Sequence, residues 1–332
     1  MRGLVLLDLF CGIGGFPLGL QEAGFSFSKH YFSEVDLHAI ACYHHHFKTA
    51  INLGAVEQIK ASKIERPDIV TFGFPCQDLS LAGRQKGLKG KKSRLFFEAV
   101  RLIKELKPPV IIFENVKGLF SINKGKEFET VIKTIADLGL YHCQWQLLNS
   151  AWFLPQNRER IYFVGTIGNQ PPPQIFPFTG SDSLFKTGIK RKGQENKDIA
   201  SALTTSYHKG VQGRGETYIA TAKPFILAMR RHNEKRKGYR VNARPDGRSN
   251  TITSVDKDNY LSIKNKIRRL TPLECERLQG FPDNWTQTGK YDKEKKEISD
   301  TQRYIMCGNA VSVPVVKAVG EKLIADKNFK WR

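Results

Sequence analysis

Residues 3–24 read GLVLLDLFCGIGGFPLGLQEAG, and this stretch decides the fold. An apolar run over 3–10, closed by a glycine cluster, predicts a buried strand. Gly12, Gly14 and Gly15 allow a tight turn, and the residues up to about Ala23 predict a helix. Working outward, 27–33 reads as a second strand and 37–48 as a helix. The β-rich run 68–74 follows, then a helix from about Arg94 to Leu106, a strand at 109–113, a helix at 126–138, and strands at 143–150 and 160–167. Strands alternating with helices predict an α/β fold: a doubly wound, mostly parallel sheet with helices on both faces.

After Thr166 the character changes. QPPPQIFPF breaks regular structure, and 179–267 is rich in Gly, Lys, Arg, Asn and Thr with only short β-like pieces such as TYIAT, SNTITSV and NYLSI. We read a second, smaller, irregular β-containing domain there. Residues 271–280 predict a helix with Thr271 as N-cap, Pro272 at its first position and Gly280 past its end. A last helix is predicted over 310–325.

Composition narrows the function classes. The chain has 332 residues, 40% of them hydrophobic and 26% charged, which is ordinary globular composition. No apolar run approaches the roughly 20 residues of a membrane span, and MRGLVLLDLF lacks a signal-peptide cleavage site. The six cysteines are scattered with no C-x-x-C pair, which argues against a zinc site or a disulfide scaffold. No metal is expected, and a reducing cytoplasm is the simplest setting. The 53 Lys and Arg against 32 Asp and Glu leave a net charge of +21, densest after residue 165. That favours a polyanionic partner.

Four places suit chemistry. The turn after the first strand, with Glu34 at the end of the second, suits a nucleoside cofactor whose ribose hydroxyls the acid accepts. It is not a dinucleotide fingerprint, because Pro17 holds the position of the third glycine. Cys76, in GFPCQDLS beyond the strand 68–74, stands where open α/β sheets bind ligands and suits a nucleophile. Glu114, at the end of PVIIF, is placed to give a proton. Arg158 and Arg160, two apart on a strand, point the same way and suit a carboxylate or a base carbonyl. Taken alone, each has an ordinary reading: a plain strand–turn–helix junction, an inert core thiol, a structural carboxylate, a solvated charged turn.

Taken in order, DLFCGIGGF, GFPCQDLS, ENV, QNRERIYFVG, RRLTPLECERLQGFPDNW and QRYIMCGNAVSVP resemble the cytosine-5 DNA methyltransferases of bacteria and their phages. The resemblance spans 1–165 and 267–320 almost continuously. It implies a Rossmann-like class I methyltransferase fold that uses S-adenosyl-L-methionine, releases S-adenosyl-L-homocysteine and needs no metal. It implies that Cys76 attacks C6 of a cytosine, that Glu114 contacts N3 and the exocyclic amine, and that Arg160, with Arg158 beside it, holds the base and Glu114. It implies a cofactor pocket of Phe10, Gly12, Gly14, Glu34, Val35, Val56, Pro75, Leu95, Asn309 and Ala310. Two positions depart from the family: Val35 stands where an aromatic residue is frequent, and Ala55 where an acid meets the adenine amine. Both are expected to alter affinity rather than abolish cofactor use.

The same resemblance implies a base flipped out of double-stranded DNA. The loop 80–94 after Cys76 would close over phosphates, with Gln77, Ser80, Ala82, Arg84, Lys86 and Arg94 at the DNA. Residues 176–285 would be a target-recognition domain, with Thr204, Tyr207, His208, Arg230, Arg231, Arg248, Thr251 and Thr253 facing the duplex. Residues 286–300 would form a hinge, and 1–175 plus 301–332 a catalytic and cofactor-binding domain. The length is then filled without a regulatory module. The expected protein is a monomer in the cytoplasm with the nucleoid, with no membrane partner and with a separate cognate restriction endonuclease as its associate in a restriction–modification setting. The competing expectations are a tRNA cytosine-5 methyltransferase and a catalytically inactive DNA-binding regulator.

Overall fold

The computed structural model describes residues 3–74, 94–139, 141–167, 172–178, 225–231, 239–243, 249–251, 260–263 and 266–326. The chain runs β1 (Leu4–Leu9), α1 (Gly15–Glu22), β2 (Phe27–Ser33), α2 (Leu37–His46), β3 (Ile51–Asn52), β4 (Ile69–Phe72), α3 (Leu95–Leu106), β5 (Val110–Val116), α4 (Lys126–Ala136), β6 (His142–Asn149), β7 (Gln156–Asn157) and β8 (Glu159–Thr166). Then come β9 (Phe225–Arg231), β10 (Tyr239–Ala243), β11 (Ser249–Asn250), β12 (Tyr260–Ile263), β13 (Lys266–Arg269), α5 (Pro272–Gln279), the hairpin β14 (Thr288–Tyr291) and β15 (Glu294–Glu297), α6 (Asp300–Asn309) and α7 (Val313–Ala325).

Seven strands form the main sheet in the order β3-β2-β1-β4-β5-β8-β6. β3, β2, β1, β4 and β5 are mutually parallel, while β8 runs antiparallel to both neighbours. The expected doubly wound, mostly parallel sheet is therefore present. β1 is buried at every position, as a central strand covered on both faces must be. Its side chains alternate between two cores. Val5, Leu7 and Leu9 pack with Phe96, Leu102 and Ile103 of α3, and Leu4 and Leu6 pack with Leu20 of α1 and Val316 and Val319 of α7. Three layers follow directly from this period of two.

A third core lies around α2. Phe281, Trp285 and Ile298 pack there with Phe32, Cys42 and Tyr43. The Trp285 ring stacks on His46, centroids 3.5 Å apart, and its Nε1 donates to the Ile13 carbonyl at 2.9 Å. Residues 281–298, which the sequence divides between the recognition domain and the hinge, are thus core-packed on α2. At the other boundary, Ile175, Phe176 and Phe178 join the α1–α7 core.

The predicted helix at 271–280 is α5, with the full capping box between Thr271 and Glu274. SNTITSV and NYLSI supply β11 and β12, while TYIAT lies outside the described residues. Several elements go beyond the sequence reading: β3, β7, β9, β10, β13, the hairpin β14–β15 and α6. The hairpin turns through Asp292 at φ 51° without the Asn-Gly or Asp-Gly pair that usually announces such a turn.

Candidate active site

Parallel strands β1, β2, β4 and β5 end at one edge of the sheet, and strand order reverses between β1 and β4. Antiparallel β8 begins at that same edge. The strand ends, with the α6–α7 junction, enclose a cavity of about 380 Å3. Its wall includes Phe10 and Gly12 after β1, Glu34 and Val35 after β2, Gly73 and Phe74 after β4, and Glu114, Arg158 and Arg160 on β5 and β8 or just before it. Leu95, Asn309 and Ala310 complete the expected set within it. Gly14 and Val56 do not line it. A Cβ on Gly14 would meet Phe47 Cε2 at 2.4 Å, so this glycine serves the packing of α1 on α2. Val56 is 2% exposed within the β1–β4 core.

The turn after β1 is built from left-handed backbone, with φ 52° at Phe10, 54° at Gly12 and 83° at Gly14. Phe10 holds this conformation without glycine's freedom, a cost of roughly 1–2 kcal/mol. A Cβ on Gly12 would meet nothing within 4 Å, so open space stands against the cavity wall there. Glu34 is fixed by backbone donors: Oε2 accepts from Gly12 N at 3.0 Å, and Oε1 from Val35 N at 2.8 Å and Asp36 N at 3.0 Å. A carboxylate offers about four acceptor sites, so one remains for a ligand hydroxyl. Val35 is 69% exposed on the rim.

Beneath the turn sits a buried polar chain. Thr71 Oγ1 donates to Asp8 Oδ1 at 2.7 Å, Tyr43 Oη donates to Oδ2 at 3.1 Å, and His30 Nε2 is 2.6 Å from the same Tyr43 hydroxyl. Burial pushes the Asp8 carboxyl up to about 7, against its two hydroxyl donors, and pushes His30 down to about 4.

Glu114 pairs across β5 and β8 with Tyr162, and Arg160 with Val116. Glu114 and Arg160 are therefore diagonal neighbours on one face. Arg160 Nε lies 2.9 Å from Glu114 Oε1, with both side chains largely buried. The N–H is off axis: Oε1 is buried in ion-pair contact yet receives no aligned hydrogen bond among the described residues. Arg160 Nη1 donates to the Glu159 carbonyl at 2.8 Å. Asn115, a wall residue the sequence reading passed over although it adjoins Glu114, donates from Nδ2 to the Phe74 carbonyl at 3.2 Å. Stacked rings of Phe72, Phe113 and Phe163 run across β4, β5 and β8, at 4.7 Å and 4.3 Å.

Arg158 turns elsewhere. Its Nη1 and Nη2 donate to the carbonyls of Gly308 at 3.3 Å and Ala310 at 2.8 Å, so it ties the strand to the α6–α7 wall. Pro75, Cys76, Gln77, Ser80, Ala82, Arg84, Lys86, Thr204, Tyr207, His208, Arg248 and Thr253 lie outside the described residues. Arg230 and Arg231 belong to β9, and Arg94 immediately precedes α3. Thr251 Oγ1 donates to the Asn157 carbonyl at 3.0 Å. Among the described residues, no three His, Cys, Asp or Glu side chains are grouped to hold a metal ion, and no helix is long and apolar enough to cross a membrane.

The chain is similar to known proteins along nearly all its length. It is 33% identical to the Type II methyltransferase M1.ScrFI of Lactococcus lactis subsp. cremoris, over 96% of this chain and 77% of that one. It is 31% identical to the Type II methyltransferase M.Bsp6I of Bacillus sp. (strain RFL6), over 96% and 98%. The fold matches the crystal structure of the S. pombe Dnmt2 methyltransferase with a TM-score of 0.63 at 17% identity, covering 98% of this chain and 100% of that one. The family model of C-5 cytosine-specific DNA methylases matches residues 4–325. With a sheet whose strand ends gather Glu34, Glu114 and Arg160 around one cavity, and with that match across the chain, the protein belongs to the C-5 cytosine-specific DNA methylase family.

Proposed function

We propose that the protein transfers a methyl group from S-adenosyl-L-methionine to C5 of a cytosine flipped out of a specific duplex DNA sequence, through a covalent adduct of Cys76 with C6. The observation that carries this reading is the buried Glu114–Arg160 pair opening into the same cavity as Glu34 and the glycine turn. The wall fits the cofactor. Glu34 keeps an acceptor site for a ribose hydroxyl, and the space at Gly12 admits a ligand against the backbone. Phe10, Gly12, Glu34, Val35, Asn309 and Ala310 would hold it, and when bound its sulfonium supplies the methyl group.

The chain's own residues do the rest. C5 of cytosine is a weak nucleophile until C6 is saturated. When Cys76 Sγ bonds to C6, the C5=C6 pair becomes available at C5, and negative charge grows toward N3. Glu114, which lines the cavity, gives a proton to N3 and accepts from the exocyclic amine. Arg160 holds that carboxyl in place. Loss of the C5 proton and departure of Sγ from C6 restore the ring. Thiol chemistry supports Cys76: burial pushes the thiols of Cys11, Cys42, Cys143, Cys275 and Cys307 up, so each stays protonated and a poor nucleophile. Cys76 follows Phe74, which Asn115 tethers beside Glu114.

The relatives are named Type II methyltransferases, and we assign this chain to a restriction–modification setting. Its basic excess between 166 and 300 suits contact with duplex phosphates. We assign 179–269 to target recognition, because 281–298 packs on α2 with the catalytic core. Incubation with a methyl-labelled donor and either unmethylated duplex DNA or tRNA tests the reading. Label is expected in duplex DNA at cytosine C5, and label in tRNA alone would overturn it. 5-Fluorocytosine in the target traps an adduct in the native protein, and its persistence in Cys76→Ser would reassign the nucleophile.

A further inference from the structure

One fully buried side chain joins parts of the site that are distant in sequence. Gln279, the last residue of α5, is 0% exposed. Its Oε1 accepts from Gln156 Nε2 at 3.2 Å and from Ser312 Oγ at 3.2 Å, and its Nε2 donates to the Cys307 carbonyl at 2.8 Å. Ser312 Oγ is in turn 2.6 Å from Ser150 Oγ. Gln156 Nε2 also reaches the Leu278 carbonyl at 2.6 Å. Thus the end of α5 holds two walls of the cavity at once: the segment after Cys307, and β7, which leads into Arg158 and Arg160.

β7 has a second partner. Ser249 and Asn250 of β11 pair in parallel with Gln156 and Asn157, and Ser249 N donates to the Pro155 carbonyl at 2.9 Å. The chain after residue 167 therefore returns to this point twice, through β11 and through α5. Gln156 lies between them.

We infer that Gln279 is a positioning residue for methyl transfer, fixing through Gln156 and Ser312 the spacing between the 308–311 cofactor wall and the strand that carries Arg160. The inference rests on the methyltransferase reading. Gln279 touches neither base nor cofactor wall directly. It sets where other groups stand, and a buried network of this kind is specific only while every member is satisfied. Shifting the 308–311 wall weakens cofactor binding, while shifting β7 displaces Arg160 from Glu114 and slows the chemical step.

The test uses Gln279→Met, which keeps length and volume but removes all three hydrogen bonds, and Ser312→Ala, a smaller change that removes the hydroxyl shared between Gln279 and Ser150. Binding of S-adenosyl-L-homocysteine is measured by calorimetry, kcat and cofactor KM with labelled donor on duplex DNA, and folding by thermal denaturation. Gln279→Met is expected to weaken S-adenosyl-L-homocysteine about tenfold and to lower kcat about tenfold, and Ser312→Ala to move both in the same direction by about threefold. The double variant Gln279→Met with Gln156→Met is expected to lose less than the product of the single losses. A lower melting temperature with affinity and kcat within twofold of the native protein would reduce Gln279 to a structural role and overturn the inference. If Gln279→Met does not fold, Ser312→Ala decides, and unchanged constants there overturn it. A native protein that neither binds S-adenosyl-L-homocysteine nor methylates DNA overturns the methyltransferase reading instead.

Discussion

Replacing Arg160 tests the site most directly. Its Nε stands 2.9 Å from Glu114 Oε1, its Nη1 holds the Glu159 carbonyl at 2.8 Å, and the paired side chains are 16% and 11% exposed. Arg160→Ala leaves the Glu114 carboxylate without its counter-charge in a largely dry wall. Losing one preorganised polar group at a reacting centre costs about 2.7–4 kcal/mol of barrier, and the open cavity side puts this pair near about 3 kcal/mol. At about 1.4 kcal/mol per decade that is about a hundredfold in rate. Arg160→Lys keeps the charge but has one ammonium group in place of two separated donors, so about tenfold is expected. Initial rates of label transfer into duplex DNA at saturating cofactor measure both, alongside thermal denaturation to confirm the fold. A second arm combines Arg160→Ala with Glu114→Gln. Groups that act as a unit lose far less together than the product of their separate losses. Arg160→Ala retaining more than a third of the native rate, or fully multiplicative losses in the double variant, would refute the paired arrangement.

Other outcomes follow from the same geometry. Gly14→Ala sets a Cβ 2.4 Å from the Phe47 ring at φ 83°, so about 2–4 kcal/mol of stability is lost, visible in chemical denaturation. Trp285→Ala removes a ring stacked on His46 and the donor to Ile13; about 3–5 kcal/mol is lost, and cofactor affinity falls because the glycine turn loses that anchor. Asp8 and His30 give a signature in pH. The raised Asp8 carboxyl makes the folded state bind the extra proton between its ordinary value and about 7, so its contribution falls as pH rises. The lowered His30 makes the unfolded state bind the extra proton between about 4 and its ordinary value, so its contribution falls as pH drops. The two slopes oppose each other, and the native pair is nearly level across that window. Asp8→Asn should expose the His30 slope, with stability rising by about 1.4 kcal/mol per unit from pH 4.5 to 6. An unchanged profile in urea titrations would contradict this.

The strand ends were legible because strands there are apolar runs that stop at residues of another kind. β1 stops at the glycine turn, β2 at Glu34, and β5 carries Glu114 near its end. A period of two and a change of polarity are local signals, so Gly12, Glu34 and Glu114 stand out from the residues themselves, whereas Phe10 is named only by the family resemblance. α6 and the β14–β15 hairpin were missed for the opposite reason. α6 is mostly polar or half-buried, and the hairpin is a run of Lys and Glu whose apolar contact is limited to its inner edge against α2.

What the sequence determined by itself was the alternation of elements, the doubly wound sheet, and the chemical identity of the groups at its carboxyl edge. What only the tertiary structure decided was which of those groups meet. Arg158 and Arg160 are two apart in the sequence, yet Arg160 on β8 pairs with Glu114 while Arg158, just before that strand, binds the carbonyls of Gly308 and Ala310. Gly12 faces open space, while Gly14 is pressed against Phe47. Spacing along a chain states which residues share a face. Partners distant in sequence fix what each touches: β5 brings Glu114 to Arg160, the end of α2 brings Phe47 to Gly14, and the α6–α7 junction brings carbonyls to Arg158.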